Sequence, residues 1–397
     1  METGDEDWRV LEGGAYAWFE APSLAAGAKL VARIVELGEA LPDVDLRAGG
    51  VRLRIRPGVL ERDEVELARL ISEVARELGL VADPSVLQGF RVVIDARDVP
   101  PVLGFWRTAL GYDLVGDTEL ADPAGRDPVF AIQQLDEPRP LRNRIHVDIG
   151  RPAEAVEAAR TAVGQEPYGA YQLTLADAEG NEADVVPGEA LTEDWRALFG
   201  AMTFYPTSSP IQASRLATAV AQLAEDAGWP LLVDIRPTGV TIDSGKDRWE
   251  DGVYEAVIPF AELAGRIQAA ARELGLRADP ANLRFVQLGF DAVDTAEVQA
   301  FWLTVLGYER DPRQDLTDIY DPRRLGPVIM FQSLDAADEE RRKQRNRIHC
   351  SLAVPSDQAQ VRIDAAVAAG GSILDRTPSN CTLADPEGNE LTITTQA

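Results

Sequence analysis

Histidine and cysteine are nearly absent from this chain: its 397 residues hold two of each, His146 and His349, Cys350 and Cys381. Two cysteines make neither a disulfide framework nor a structural zinc site, and both read as small core residues. Basic charge is short as well. Lys+Arg 39 against Asp+Glu 66 gives a formal net charge of −27, a surface that repels phosphate backbones and anionic head groups and so excludes nucleic acid and membrane surfaces as partners. No apolar run reaches the ~18 residues that cross a bilayer. The opening Met-Glu-Thr-Gly-Asp-Glu-Asp lacks the basic and apolar regions of a signal peptide, so the expected location is the cytoplasm. The chain also has no Gly-x-Ser-x-Gly elbow, no Cys-x-x-Cys pair and no phosphate-cradling glycine loop between a strand and a helix.

What the chain does have is a long internal repeat. Glu6-Asp7-Trp8-Arg9 returns as Glu193-Asp194-Trp195-Arg196, and Ala75–Leu80 returns as Ala271–Leu276. Phe105-Trp106 with Leu110-Gly111-Tyr112 returns as Phe301-Trp302 with Leu306-Gly307-Tyr308. Arg142-Asn143-Arg144-Ile145-His146 matches Arg345-Asn346-Arg347-Ile348-His349, and Glu179-Gly180-Asn181-Glu182 matches Glu387-Gly388-Asn389-Glu390. Five collinear blocks exclude chance, so one ancestral unit of roughly 190 residues has been copied.

Each unit divides again. The first half predicts a strand over Ala15–Glu20, a helix begun by Ser23, strands at Val44–Arg47 and Val51–Ile55, and a helix through Val65 and Val74 to a Gly79 stop. Its copy runs through Ser214–Ala227, Leu231–Arg236, Val240–Asp243 and Phe260–Leu274. The second half predicts β-α-β-β-β twice: Arg91–Asp95, Val102–Leu110 and Val129–Leu135, then Ile145–Ile149, Ala153–Val163, Tyr171–Leu175 and Glu182–Val186. Antiparallel strands with helices on one face make an α+β fold. The expected domains are 1–86, 87–189, 190–282 and 283–397.

The second halves resemble the vicinal oxygen chelate superfamily of glyoxalases, bleomycin-resistance proteins and extradiol dioxygenases. The residues that carry the resemblance are Phe-Trp followed by Leu-Gly-Tyr, Arg-Asn-Arg-Ile-His, and Asp-Ala-Glu-Gly-Asn-Glu or Asp-Pro-Glu-Gly-Asn-Glu. It implies paired β-α-β-β-β halves curled into a cup, commonly around one divalent metal. The first halves resemble pterin-4a-carbinolamine dehydratase in element order and in Pro42-Asp43-Val44 with Leu60-Glu61-Arg62-Asp63. That family depends on a His-His pair just before the Pro. This chain has Ala40-Leu41 there and Gly228-Trp229 in the copy, side chains that exchange no protons near neutral pH, so these modules read as degenerate and without dehydratase activity.

The superfamily places one metal ligand on each of four strands. Carried over by spacing, the first cup has Arg91, Gln133, His146 and Asp184, and the second has Gln287, Gln332, His349 and Thr392. Arg91 cannot bind a cation and Thr392 is a poor ligand. The resemblance thus implies metal ligands among His146, Asp184 and Gln133 in one cup and among His349 and Gln287 in the other, with Gln332, Arg91 and Glu390 as further ligand-binding residues. Period-2 alternation puts Asp148 on the His146 face and Glu182 beside Asp184, so these two carboxylates are the candidate catalytic bases. Beside His349 the same reading puts only Ser351, with Glu390 as the nearby carboxylate.

Structural roles compete with each assignment, because an Asn-rich network around Arg-Asn-Arg-Ile-His and a tight turn at Glu-Gly-Asn-Glu explain the same residues. Three functions stay open: a metal-dependent lyase, isomerase or dioxygenase acting on a small oxygen-rich or aromatic metabolite, a metal-free binder of drug-like molecules, and a scaffold of duplicated modules. The expected partner is a small molecule, with the modules paired inside the chain or in a homodimer.

Overall fold

The computed structural model describes residues 6–38, 41–56, 64–250, 256–313 and 315–395. Ala40 and residues 60–63, used above for the dehydratase resemblance, lie outside them. The chain forms two compact units, and each draws on both repeats: residues 1–87 with 188–283, and residues 88–187 with 284–397.

In the first unit the strand order is Arg9–Leu11, Gly14–Glu20, Gly50–Ile55, Asp43–Arg47, Leu232–Arg236, Gly239–Asp243, Gly200–Pro206 and Arg196–Leu198. The two copies join edge to edge where Asp43–Arg47 runs antiparallel to Leu232–Arg236, with Leu46 opposite Val233 and Val44 opposite Ile235. Ser23 and Ser209 start the helices Leu24–Glu36 and Pro210–Ala227, each side chain accepting from a backbone N–H three residues on, which satisfies one of the open donors of the first turn. The alternate residues Val44, Leu46, Val51, Leu53, Val233, Ile235, Val240 and Ile242 pack under these helices. The opposite face of the joint is ionic. Arg47 pairs with Asp234 at 2.8 Å, Arg236 with Asp45 at 2.5 Å and Arg52 with Asp45 at 2.6 Å. Burial by itself raises the Asp45 carboxyl pKa, and the facing guanidinium groups of Arg236, Arg52 and Arg47 outweigh it and hold the group well below the usual carboxylate range.

The second unit contains two sheets. One runs Ser372–Arg376, Asn380–Ala384, Glu390–Thr394, Ile348–Ala353, Gly89–Ala96, Val129–Gln134, Glu119–Ala121 and Asp113–Val115. The other runs Thr174–Ala176, Glu182–Ala190, Ile145–Pro152, Phe285–Ala292, Val328–Ser333, Ile319–Tyr320 and Glu309–Arg310. Helices Val99–Leu110 and Thr295–Leu306 end at Gly111 and Gly307, both left-handed, as a terminating glycine allows. Their Trp106 and Trp302 are fully buried, and each indole N–H donates to a buried carboxylate, Asp177 at 3.0 Å and Asp385 at 2.9 Å. Repetition of these tryptophans therefore reflects core packing.

Two expected elements differ. The strand expected over Tyr171–Leu175 forms only at Thr174–Ala176, because Gly169 and Gln172 adopt positive φ and turn the preceding segment. The strand expected to stop at Val186 continues to Ala190.

The larger correction concerns the cups. Sequence order assigns Arg91, Gln133, His146 and Asp184 to one cup, but the His146 strand pairs with the Gln287 strand of the other repeat, Ile145 facing Phe290 and Asp148 facing Gln287. The His349 strand likewise pairs with the Arg91 strand, His349 opposite Val93 and Ser351 opposite Arg91. Each cup therefore combines the leading half of one chelate repeat with the trailing half of the other. Copies with the same ladder-forming pattern pair equally well within or across repeats, so alternation cannot distinguish the two.

Candidate functional site

In the strand Ile145–Pro152, Ile145, Val147 and Ile149 enter the core fully, which turns His146 and Asp148 to the opposite face of the sheet. His146 lies opposite Gly289 in the ladder. A Cβ at Gly289 would collide with the His146 ring, so glycine lets the imidazole lie over the neighbouring strand. From there Nε2 stands 3.4 Å from Asp148 Oδ1. Gln287 Nε2 donates to Asp148 Oδ2 at 2.7 Å and approaches Met330 Sδ at 3.4 Å. Asp184 completes the group: one ligand atom each from His146, Asp148 and Asp184 lie within 4.8 Å of one another. Gln287 is buried, and its Oε1 has no hydrogen-bond partner.

Glu182 sits on the same face as Asp184, but its carboxylate is engaged: Arg142 Nε donates to Oε2 at 2.6 Å and the Tyr168 hydroxyl to Oε1 at 2.9 Å. Burial and the Glu182 hydrogen bond push the Tyr168 phenol pKa up, which keeps it a donor.

The His349 cup has diverged. Val93 occupies the ladder position that Gly289 fills in the other cup, and the His349 ring turns toward the strand ends. There Nε2 meets Asp95 Oδ1 at 3.4 Å and Gln133 Nε2 at 3.2 Å, while the buried Nδ1 has no partner. Asp95 also accepts from Gln133 Nε2 at 2.5 Å and from buried Arg139 at 2.8 Å. Burial raises the Asp95 carboxyl pKa, but the hydrogen bond and charge of His349, with Gln133 and Arg139, overcome it and hold the group below its ordinary value. A carboxylate already neutralised by an arginine and an imidazole turned onto it make a poor donor set for a cation.

The sequence-predicted residues therefore fall into two groups. His146, Asp184 and Gln287 come together, with Asp148 at their centre. His349 and Gln133 meet in the other cup, so Gln133 is a neighbour of His349 and not of His146. Gln332 is exposed at the strand end opposite Asp291, Arg91 pairs with Glu119 at 2.7 Å, and Glu390 is held by Arg345 through both oxygens. Sequence reasoning missed Asp95 and Arg139. The available signal was the aspartate that closes the first chelate strand in each copy, Asp95 and Asp291, each of which pairs with a buried arginine, Arg139 or Arg341.

The remaining residues of Arg-Asn-Arg-Ile-His lock the exchanged halves together. The backbone N–H of Arg144 donates to Asn346 Oδ1 and that of Arg347 to Asn143 Oδ1. The Arg144 guanidinium donates to the carbonyls of Arg341, Arg342 and Gln344 and to Asn389, and Arg347 serves Arg139, Leu141, Gly180 and Asn181 in the same way. The asparagine network expected as a competing explanation thus exists, and both imidazoles lie outside it.

Two sheets, each joining the leading β-α-β-β-β half of one repeat to the trailing half of the other, with one face in the core and one polar, define a glyoxalase-like fold. Residues 91–186 and 287–394, more than half of the chain, match the glyoxalase-like domain family, and the chain belongs to it. Among solved structures, glyoxalase I from Zea mays is similar at 10% identity and a TM-score of 0.38, covering 78% of this chain and 93% of that one. A glyoxalase/bleomycin resistance protein from Albidiferax ferrireducens T118 aligns at 15% identity and a TM-score of 0.21, covering 28% of this chain and 95% of that one. A glyoxalase/bleomycin resistance protein/dioxygenase family enzyme from Burkholderia phytofirmans PsJN aligns at 18% identity and a TM-score of 0.21, over 27% and 94% of the two chains. Curated proteins give no match. Among the described residues no helix is long and apolar enough to cross a membrane.

Proposed function

We propose that the His146 cup binds a divalent cation through His146, Asp148 and Asp184 and takes a small oxygen-bearing metabolite beside it, for lyase or isomerase chemistry. The observation that carries this reading is the convergence of one imidazole and two carboxylates within 4.8 Å of one another. The donor set fits: one nitrogen with several hard oxygens suits a divalent ion of the magnesium-to-zinc range. The unpartnered Gln287 Oε1 is a buried carbonyl oxygen in want of a positive partner. When bound, the cation would polarise a substrate oxygen as a Lewis acid.

The chain's own residues do the rest. Gln287 steadies Asp148 by its amide N–H, and Glu182 becomes a proton acceptor once a ligand separates it from Arg142 and Tyr168. The dehydratase-like modules have no part in proton transfer in this reading. Trp229, at the family's imidazole position, is buried and donates its indole N–H to the Ile258 carbonyl at 2.9 Å.

Elemental analysis of protein purified without chelator tests the proposal. One divalent ion per chain is expected, lost in Asp148→Asn and in His146→Ala and kept in His349→Ala. Metal-free wild type that still binds a panel of catechols and thioesters would leave a metal-independent binder instead, and His349→Ala losing the ion would move the site to the other cup.

A further inference from the structure

The geometry points to a second, metal-independent binding site in the His349 cup, built for the carboxylate of a small organic acid. It stands apart from the metal proposal and rests on one row of side chains. In the His146 cup, the cross-strand row through Gln287, Asp148, Asp184 and Thr174 carries an amide, two carboxylates and a hydroxyl. The equivalent row in the His349 cup runs Arg91, Ser351, Thr392, Thr382, each residue the direct ladder partner of the next. Both carboxylates have become hydroxyls, and the amide has become a guanidinium.

This row faces the cup. The alternate residues Val92, Cys350, Leu391 and Leu383 are in the core, which leaves Arg91, Ser351, Thr392 and Thr382 on the other face. All four are partly buried and so keep surface that a ligand can contact. The hydroxyls of Thr382 and Thr392 are hydrogen-bonded to each other at 3.1 Å, which leaves one of the two O–H groups to donate to an acceptor. The acids nearby are already neutralised, Asp95 by Arg139 and Glu390 by Arg345. Glu119 meets Arg91 through Nη1 in a partly exposed pair, a weak kind of contact that a ligand carboxylate can replace. One planar guanidinium beside hydroxyl donors matches the two oxygens of a carboxylate, whereas a doubly charged phosphate would find a single cation and Glu119 close by.

Isothermal titration of chelator-treated protein with pyruvate tests the assignment, with inorganic phosphate titrated in parallel. Pyruvate is expected to bind the wild type and Asp148→Asn equally, and to bind Arg91→Gln about tenfold more weakly or worse, the loss of one charge-assisted hydrogen bond. Glutamine already stands at the equivalent position 287, so this variant should fold. Ser351→Asp, which restores the other cup's carboxylate, should also abolish binding and serves if Arg91→Gln is unstable. No pyruvate binding to the wild type, binding unchanged in Arg91→Gln and Ser351→Asp, loss in Asp148→Asn, or binding of phosphate without pyruvate would each overturn the proposal.

Discussion

The two imidazoles occupy equivalent positions and do different things, and the residue beneath each ring decides which. Over Gly289 the His146 ring reaches Asp148, while opposite Val93 the His349 ring turns to Asp95 and Gln133. Gly289→Val should therefore push His146 off its strand and cut metal affinity at least about tenfold, the consequence of misplacing one ligand. The variant should keep the wild-type fold, since valine is accommodated at the matching position of the other cup. Metal titration beside circular dichroism measures both. The imidazoles and their neighbours Asp148 and Ser351 were legible from alternation alone, because period 2 decides which side chains share a face. The lean of each ring was not legible, because it depends on a residue on another strand.

At the scale of elements, the Arg-Asn-Arg segments are the joint. Each brings a buried guanidinium to backbone carbonyls that no ladder satisfies. Burial pushes both Arg144 and Arg347 below the ordinary arginine pKa, with Asp385 and Asp177 acting in the opposite sense. Arg347→Ala should leave the buried Arg139 carbonyl without its donor, remove one donor each from Leu141, Gly180 and Asn181, and destabilise the protein by about 2 kcal/mol or more. Urea unfolding monitored by tryptophan fluorescence would show it, and a loss below about 1 kcal/mol would mean that water replaces the guanidinium at little cost. The sequence marked these residues by repetition without showing their partners, which lie about 200 positions away in the chain.

For the whole molecule, the exchange of halves makes each cup the joint property of two distant segments. A fragment of residues 88–187 keeps one ladder neighbour of each of the strands Gly89–Ala96 and Ile145–Pro152 and loses the other, Ile348–Ala353 and Phe285–Ala292 respectively. Two unpaired sheet edges should drive it to self-associate, visible by light scattering, and mixing it with residues 284–397 should restore metal binding. A monomeric fragment that binds metal alone would show that each repeat closes its own cup.

The chain by itself determined the α+β class, the duplication, the core tryptophans and the polar face that carries each imidazole, because periodicity and repetition are local properties of a sequence. Tertiary structure alone decided which halves share a cup, that Gln287 rather than Gln133 stands beside His146 and Asp148, and that the His349 ring turns onto an aspartate already paired with Arg139. Duplicated segments offer each strand two nearly equivalent partners, and only the packed molecule selects between them.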